Sequence, residues 1–217
     1  MHEATLIVGF AGRARAGKNY LAQAIHEQLS GVSACYAFAD AMKGALRLAG
    51  LMTKKDPSLL QRFGTEVLRS LSHDIHIRTL SWRIDEDEPP IALVTDIRFR
   101  NEADWIRSTG GIVFRVERVT EEGKVWKSSD RRQDHQSETE VDSITECDMT
   151  IRAVSGDLAT LDQIARYQLV PRIVQQFFRK LPLPHSLAYP SLVYSNFPRA
   201  KEFLDLASDL AERQHPG

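Results

Sequence analysis

One loop constrains this chain more strongly than any other segment. Gly12-Arg13-Ala14-Arg15-Ala16-Gly17-Lys18-Asn19 follows the apolar run 6–10 and fits the phosphate-binding pattern G-x-x-x-x-G-K-[ST] except at Asn19. In such a loop, backbone N–H groups surround phosphate oxygens, the lysine adds a positive charge, and the following helix points its N-terminus at the anion. That helix is indicated by apolar residues at i, i+4 and i+8, namely Leu21, Ile25 and Leu29. The segment predicts a nucleotide-phosphate site; the alternative is a glycine-containing turn between a core strand and a core helix.

Apolar segments of strand length recur along the chain and alternate with helical patterns. They are residues 6–10, 33–38, 91–95, 112–116 and 147–151. Residues 85–90 are acidic and indicate an exposed connector, and the two prolines in it stop the preceding element. Strands that are apolar throughout and joined by helices are typical of a parallel sheet covered on both faces. The sequence therefore predicts an α/β protein with a central, mostly parallel, five-stranded sheet and helices on both faces.

The composition is that of an ordinary soluble domain. Of 217 residues, 42% are hydrophobic and 26% are charged, and no apolar run has the length of a membrane-spanning helix. The 28 basic and 29 acidic residues nearly cancel, which argues against a general nucleic-acid binder. The start of the chain shows no signal peptide, and Cys35 and Cys147 are too few for a disulfide scaffold. We therefore expect a cytoplasmic protein with reduced thiols that binds neither nucleic acid nor membrane.

Charged residues follow the predicted strands at the edge of the sheet that carries the loop. Asp96 and Arg98 come after the third strand, and Lys43 lies in the helix after the second. Open α/β sheets bind ligands at this edge. A carboxylate at this edge, such as Asp96, is placed to bind Mg²⁺ through water. An arginine, such as Arg98, can bind a phosphate through two N–H groups of its planar guanidinium. Arg69 is a further candidate for binding phosphate. The alternatives are a structural Asp–Arg pair and, for Lys43, a solvated helix face.

A polar insertion interrupts the core between the last two strands. It is rich in charge and nearly free of aliphatic residues. An insertion of this length is typical of a mobile lid or a disordered loop. Arginines on a lid can neutralise a transferring phosphoryl group and exclude water. We predict a core at residues 1–169, a lid at about 118–142, and a helical extension at 170–217 that packs on the core or in a homodimer contact.

Taken together, these segments resemble the phage-type deoxynucleoside monophosphate kinases, which belong to the P-loop nucleoside monophosphate kinase group. The resemblance covers roughly residues 4–165. The matching segments are residues 12–18, Phe38-Ala39-Asp40 with Lys43, residues 61–66 with Arg69, Asp96-Ile97-Arg98-Phe99 with Asn101-Glu102-Ala103, Gly110-Gly111, Arg118, and His135-Gln136-Ser137-Glu138. The order and spacing of these short matches are more specific than the loop alone.

The resemblance implies a three-layer P-loop NTPase fold with a lid, and transfer of the γ-phosphoryl group of ATP to the 5′-phosphate of a deoxynucleoside monophosphate with Mg²⁺. The implied catalytic residues are Lys18, Asp96, Arg98, Arg118, Arg131 and Arg132. The implied ATP-binding residues are Gly12, Arg13, Ala14, Arg15, Ala16, Gly17, Lys18, Asn19 and Tyr20. The implied acceptor-binding residues are Asp40, Lys43, Arg69, Arg98, Glu102, His135, Ser137 and Glu138. Asn19 and Asp96 are expected to hold Mg²⁺ through water. For His135 and Glu138, contact with the acceptor's base or sugar and latching of the lid both stay open.

Two positions depart from the family pattern. Asn19 replaces the hydroxyl residue that binds magnesium directly, and Tyr20 replaces a threonine near the phosphates. Two further functions therefore remain open besides the deoxynucleotide kinase. One is a kinase of the same fold for another small phosphorylated acceptor, as in the animal-type phosphomevalonate kinases. The other is a nucleotide-binding protein without catalysis.

Overall fold

The computed structural model describes residues 5–54, 56–127 and 134–180. Strands and helices alternate along these ranges. The elements are β1 (Leu6–Ala11), α1 (Lys18–Gln28), β2 (Ser33–Tyr36), α2 (Asp40–Leu48), α3 (Pro57–Gln61), α4 (Arg69–Leu71), α5 (Ile75–Asp87), β3 (Ile91–Ile97), α6 (Arg100–Ser108), β4 (Ile112–Val119), α7 (Gln136–Thr139), β5 (Met149–Val154), α8 (Leu158–Ile164) and α9 (Val170–Lys180). Turns of π-helix fill Arg62–Leu68 and Ala165–Leu169, and a 3-10 turn fills Glu140–Ser143.

The five strands form one parallel sheet in the order β2-β3-β1-β4-β5. The central strand β1 pairs with β3 on one side and β4 on the other, and all six of its residues are buried. A strand that is buried on both faces needs apolar side chains on both, which explains the continuous apolar runs in the sequence. The predicted five-stranded parallel sheet is confirmed.

Helices cover both faces of the sheet, as predicted. Alternate residues of β1 point to opposite faces, so Leu6, Val8 and Phe10 belong to one apolar cluster and Ile7 and Ala11 to the other. Apolar side chains of α1, α8 and α9 pack in the first cluster. Those of α5 and α6 pack in the second. Each large side chain buried in this way contributes about 1.5–3 kcal/mol to folding.

The local signals for helix ends are largely borne out, with one correction. Asp56 caps α3 by accepting a hydrogen bond from the Leu59 N–H at 3.0 Å, with proline at the next position. The acidic segment predicted as a connector is helical through Asp87, so that prediction is wrong for residues 85–87. The helix continues because Ile77, Leu80 and Ile84 bury one face of α5, and it ends only at Glu88, whose φ of 44° is left-handed.

The helical run after β5 passes residue 169 without a break, from α8 through the π-helical turns into α9. Val170, Ile173 and Phe177 of α9 pack into the cluster on β1, and Lys180 Nζ donates a hydrogen bond to the Thr5 carbonyl at 2.6 Å. The described part of the predicted extension therefore lies on the core. The division at residue 169 and the dimer contact stay predictions, and residues 181–217 lie outside the described ranges.

Gly12 shows how tightly the loop is built onto the sheet. Its φ is +151°, and a Cβ at this position would clash with the backbone carbonyl of Val116 on β4. We expect Gly12→Ala to lower the free energy of unfolding by about 3 kcal/mol, since strain and overcrowding add. The matched control is Gly44→Ala in α2, where a Cβ meets nothing within 4 Å and the change should raise stability by about 0.5–1 kcal/mol. Urea denaturation of both variants measures the difference, and equal stabilities would contradict this account of the loop.

Candidate active site

A cleft of about 700 Å³ opens at the carboxyl ends of β1, β2 and β3. The loop after β1 forms one side, and the segments after β2 and β3 form the other, as expected for a parallel sheet. The sequence-predicted residues that line it are Ala14, Arg15, Ala16, Gly17, Lys18, Asn19, Tyr20, Asp40, Lys43, Arg69, Asp96, Arg98, Glu102, Ser137 and Glu138. The predicted donor and acceptor sites therefore share one cavity. Gly12, Arg13, His135 and Arg118 do not line it.

The backbone of the phosphate loop has the positive φ angles that its glycines predict. Gly17, at φ +101°, directly precedes α1, and Arg15 also has a positive φ of 58°. Lys18 is the first residue of the helix, and its Nζ donates hydrogen bonds to the carbonyls of Gly12 at 2.8 Å and Arg13 at 2.7 Å. These bonds hold the ammonium group against the loop, with only 5% of the residue exposed. The loop thus brings a lysine charge and a helix N-terminus to the same end of the cleft.

Tyr20 is anchored away from the loop. Its hydroxyl lies 2.9 Å from both carboxylate oxygens of Asp162 on α8, and this hydrogen bond raises the pKa of the tyrosine. The side chain that replaces the family threonine therefore links α1 to α8. Sequence reasoning missed Asp162, which lies 142 residues away. The proposed role of Tyr20 in ATP binding stays a prediction.

Asp96 holds the turn between β2 and α2. Its Oδ1 accepts a hydrogen bond from the Phe38 N–H at 2.7 Å and its Oδ2 from the Ala39 N–H at 3.2 Å. The carboxylate thereby fixes the turn that leads into α2, where Asp40 and Lys43 form an ion pair at 3.0 Å. Each carboxylate oxygen can accept more than one hydrogen bond, so the contacts to the turn are compatible with a water ligand of Mg²⁺. Asp96 thus has a structural task that the sequence did not reveal.

Arg69 and Glu102 form a buried ion pair beside the cleft, and their side chains are 7% and 2% exposed. The guanidinium also lies over the Phe99 ring, 3.6 Å from its centre. The second oxygen of Glu102 accepts hydrogen bonds from the N–H groups of Arg98 at 2.8 Å and Phe99 at 3.0 Å. Glu102 therefore fixes both the side chain of Arg69 and the backbone that carries Arg98. Its contact with an acceptor, suggested by the family resemblance, stays a prediction.

Burial raises the pKa of Glu102 from 4.5 to about 7, against the opposing effect of Arg69. The folded protein thus binds a proton that the unfolded chain has lost, so this residue's contribution to stability is complete below pH 4.5 and lost as the pH rises through 7. We expect the unfolding free energy of the wild type, relative to Glu102→Gln, to fall by about 3 kcal/mol between pH 4.5 and 7.5. Urea denaturation across this range tests it. Burial lowers the pKa of His76, and this shift makes stability rise with pH, opposite to the effect of Glu102. Because His76 is present in both proteins, its contribution cancels in the difference between their unfolding free energies. A flat difference curve would contradict the prediction.

The π-helical turns at Arg62–Leu68 contribute Gly64 and Thr65 to the lining of the cleft. Gly64 lies in this segment, and its carbonyl is 3.2 Å from His76 Nε2. Gln61 and His76 are both buried and line the cleft. Turns of π-helix inside a helix often occur at functional sites. Helical periodicity in the sequence did not indicate this distortion.

The C-terminal part of the predicted lid is docked on the core. His135 caps the short helix α7 through Nδ1, which accepts a hydrogen bond from the Ser137 N–H at 3.2 Å. Glu138 Oε2 accepts a hydrogen bond from the Ala14 N–H of the phosphate loop at 3.1 Å, and Oε1 lies 3.1 Å from Arg98 Nη1. Arg13 Nη2 pairs with Asp142 at 2.5 Å. His135 is thus a structural cap in this arrangement, and movement of the lid stays a prediction.

Arg118 lies apart from the cleft. Its Nε donates a hydrogen bond to Ser155 Oγ at 3.0 Å, and its guanidinium carbon is 4.1 Å from the centre of the Trp126 ring. These contacts hold the side chain outside the lining of the cleft in this arrangement, and its catalytic role stays a prediction. Arg131 and Arg132 lie outside the described residues, and their roles stay predictions.

Within residues 5–54, 56–127 and 134–180, no cluster of three or more His, Cys, Asp or Glu side chains is placed to hold a metal ion directly. In the same ranges no helix has the length and apolarity needed to cross a membrane.

The fold and the loop together define the class of protein. A parallel sheet in the order β2-β3-β1-β4-β5, with a glycine loop from β1 to α1 and a lysine at the helix start, is the three-layer P-loop NTPase fold. The resemblance to phage deoxynucleoside monophosphate kinases is confirmed over one segment: 52 residues are 42% identical to the deoxynucleoside-5′-monophosphate kinase of Escherichia phage T5. The segment is 24% of this chain and 21% of the phage protein, so the chain matches about a fifth of that relative's length.

No protein-family model matches the sequence. The crystal structure of shikimate kinase from Aquifex aeolicus vf5 superposes with a TM-score of 0.42 and 15% identity, covering 80% of this chain and 96% of the shikimate kinase chain. The fold assignment rests on the strand order and the loop.

Proposed function

We propose that this protein is an ATP- and Mg²⁺-dependent kinase that phosphorylates the 5′-phosphate of a deoxynucleoside monophosphate. One observation carries the proposal. A single cleft joins a lysine-bearing phosphate loop to Arg69 and Arg98, which are two arginines positioned by buried carboxylates. A site that brings two anionic phosphates together needs positive charge on both sides, since the phosphates otherwise repel each other.

In the proposed reaction an oxygen of the acceptor's 5′-phosphate attacks the γ-phosphorus of ATP. The bond from that phosphorus to the bridging oxygen breaks, and the products are ADP and a deoxynucleoside diphosphate. The loop amides and Lys18 bind the donor phosphates, while Lys43, Arg69 and Arg98 bind the acceptor's phosphate. Positioning and charge neutralisation are sufficient for such a transfer, and no covalent enzyme intermediate is needed.

Asn19 and Asp96 are the residues that would hold Mg²⁺, and they line the same cleft. Mg²⁺ held there would supply positive charge that stabilises the donor's phosphates during transfer. An amide oxygen and a carboxylate are both hard oxygen ligands suited to its hydration shell. Because Asn19 offers no hydroxyl, we expect weaker metal affinity than with serine at this position, measurable as a lower Mg²⁺ concentration for half-maximal rate in Asn19→Ser.

The choice of a deoxynucleotide as acceptor rests on the 52-residue similarity to the phage T5 enzyme. The side chains on the acceptor side recognise a phosphate, and that chemistry is shared by every phosphorylated acceptor. A kinase of the same fold for another small acceptor, such as phosphomevalonate, is therefore the alternative, and an acceptor panel separates the two.

The experiment is a coupled assay of ADP release with ATP and Mg²⁺. The acceptors are dAMP, dGMP, dCMP, dTMP, hydroxymethyl-dCMP and phosphomevalonate, and purified Lys18→Ala controls for contaminating kinases. We expect turnover on at least one deoxynucleotide that is lost in the control. Turnover on phosphomevalonate alone would replace the proposed acceptor. ATP binding without turnover on any acceptor would favour a non-catalytic nucleotide-binding protein.

A further inference from the structure

Glu138 connects the two halves of the cleft. One carboxylate oxygen accepts a hydrogen bond from the Ala14 N–H of the phosphate loop, and the other pairs with the Arg98 guanidinium at the end of β3, each at 3.1 Å. Only 1% of Glu138 is exposed. We infer that Glu138 is a positioning residue that fixes Arg98 relative to the phosphate loop, and so sets the distance between acceptor and donor. This inference rests on the proposed function.

Direct contact between Glu138 and the acceptor is the less favourable reading. Both carboxylate oxygens already have partners within the protein, and a ligand hydroxyl would have to displace one of them. Removing a buried carboxylate from its partners leaves charge uncompensated, which is costly. A guanidinium, by contrast, has five N–H donors in a rigid fork, so it can bind a carboxylate on one edge and a phosphate on another.

The electrostatics also favour a positioning role. A carboxylate beside an anion site repels phosphates unless its charge is neutralised. Here the guanidinium of Arg98 and the N–H of Ala14 both face Glu138, so the carboxylate acts on the phosphates chiefly by orienting groups that bind them. Fixed donors of this kind lower the reorganisation needed during transfer.

The segment that carries Glu138 is held on both sides. His135 caps α7 before it, Glu140 Oε1 accepts a hydrogen bond from the Arg100 N–H at 3.2 Å after it, and Asp142 pairs with Arg13. A carboxylate on a segment held in this way can transmit a defined geometry to Arg98. Glu140 offers a matched control, because it is a carboxylate on the same segment that binds the core but does not line the cleft.

The test compares Glu138→Gln with Glu140→Gln. A glutamine keeps the size of the side chain but cannot form the ion pair with Arg98. We expect Glu138→Gln to lower kcat by about 100-fold while the Kd for ATP stays within about threefold, since misplacement of a binding group costs rate more than donor affinity. Glu140→Gln should leave kcat within about threefold. Equal kcat values for the two variants would overturn the inference.

A double-variant cycle tests whether Glu138 acts through Arg98. In an Arg98→Ala background, adding Glu138→Gln should lower kcat by less than about threefold, because the group that it orients is gone. A full 100-fold effect in that background would mean that Glu138 acts by another route and would overturn the inference.

A measurement without turnover separates this inference from the proposed function. Amide hydrogen exchange of Ala14, followed by NMR, should be at least about tenfold faster in Glu138→Ala and unchanged in Glu140→Gln, which keeps an acceptor for the Arg100 N–H. Unchanged exchange in Glu138→Ala overturns the link to the loop, whatever the kinetics show. Faster exchange in a protein that is inactive on every acceptor would support the link and refute the proposed kinase.

Discussion

Lys18→Ala is expected to lower the rate of phosphoryl transfer by at least about 1000-fold while the protein remains folded. Lys18 is the only lysine of the phosphate loop, and its Nζ is held between the carbonyls of Gly12 and Arg13. Its charge lies where donor phosphates would meet the loop amides. Since the transfer depends on neutralising phosphate charge, removal of this ammonium group should affect the rate far more than the fold.

The ADP-release assay on the best acceptor measures this loss, and thermal unfolding monitors the fold. Two hydrogen bonds to loop carbonyls disappear with the side chain, each of which contributes about 1 kcal/mol, so a small decrease in Tm is expected. The control is Lys124→Ala, which removes an exposed lysine in the turn after β4 and should leave the rate unchanged. Undiminished turnover in Lys18→Ala would refute the assignment of the loop as the donor site.

At about pH 8, where the Glu102 carboxylate is ionised in the wild type, Arg69→Met is expected to abolish detectable transfer and also to destabilise the protein by about 3 kcal/mol. The variant leaves the Glu102 carboxylate buried without its partner, and it removes the positive charge proposed to bind the acceptor's phosphate. Methionine keeps much of the packing on Phe99, so the lost charge is the main change. The loss of stability arises from the contact with Glu102 and the loss of transfer from the proposed contact with the phosphate, so the two effects can be separated.

The double variant Arg69→Met/Glu102→Gln separates them. Removing both charges should restore most of the lost stability, because no buried charge remains unpaired, whereas transfer should stay undetectable. Urea denaturation measures the first effect and the acceptor-dependent rate measures the second. If the double variant regains activity together with stability, Arg69 serves the fold alone and does not bind the acceptor.

Local sequence patterns predicted much of the architecture. They did not predict which side chains form hydrogen bonds and ion pairs around the cleft. The glycine loop, the apolar run of β1 and the i, i+4, i+8 face of α1 are features of adjacent residues, so a linear sequence displays them. The bond from Glu138 to Ala14 spans 124 residues, and that from Tyr20 to Asp162 spans 142. No periodicity marks such pairs, because they depend on which strand ends the folded sheet brings together.

Arg118 illustrates a second point about sequence patterns. The family resemblance assigned it to the lid and to catalysis through a motif match alone. In the structure its side chain stacks on Trp126 and binds Ser155, since its direction is set by its place in β4 and by the antiparallel bridge between Val119 and Val125. A motif match fixes a position along the chain but not the side of the strand to which a side chain points.

The contacts of α9 have a consequence for synthesis on the ribosome. β1 is made first, yet one of its faces is covered by α9, and Lys180 binds the Thr5 carbonyl across 175 residues. The strand therefore leaves the exit tunnel well before its neighbours β3 and β4 and its covering helix exist. Until then its apolar side chains lack their final partners, and pairings of such long sequence separation form slowly. A nascent chain stalled before α9 should consequently bind chaperones that recognise exposed apolar strands, and should release them once that helix has emerged.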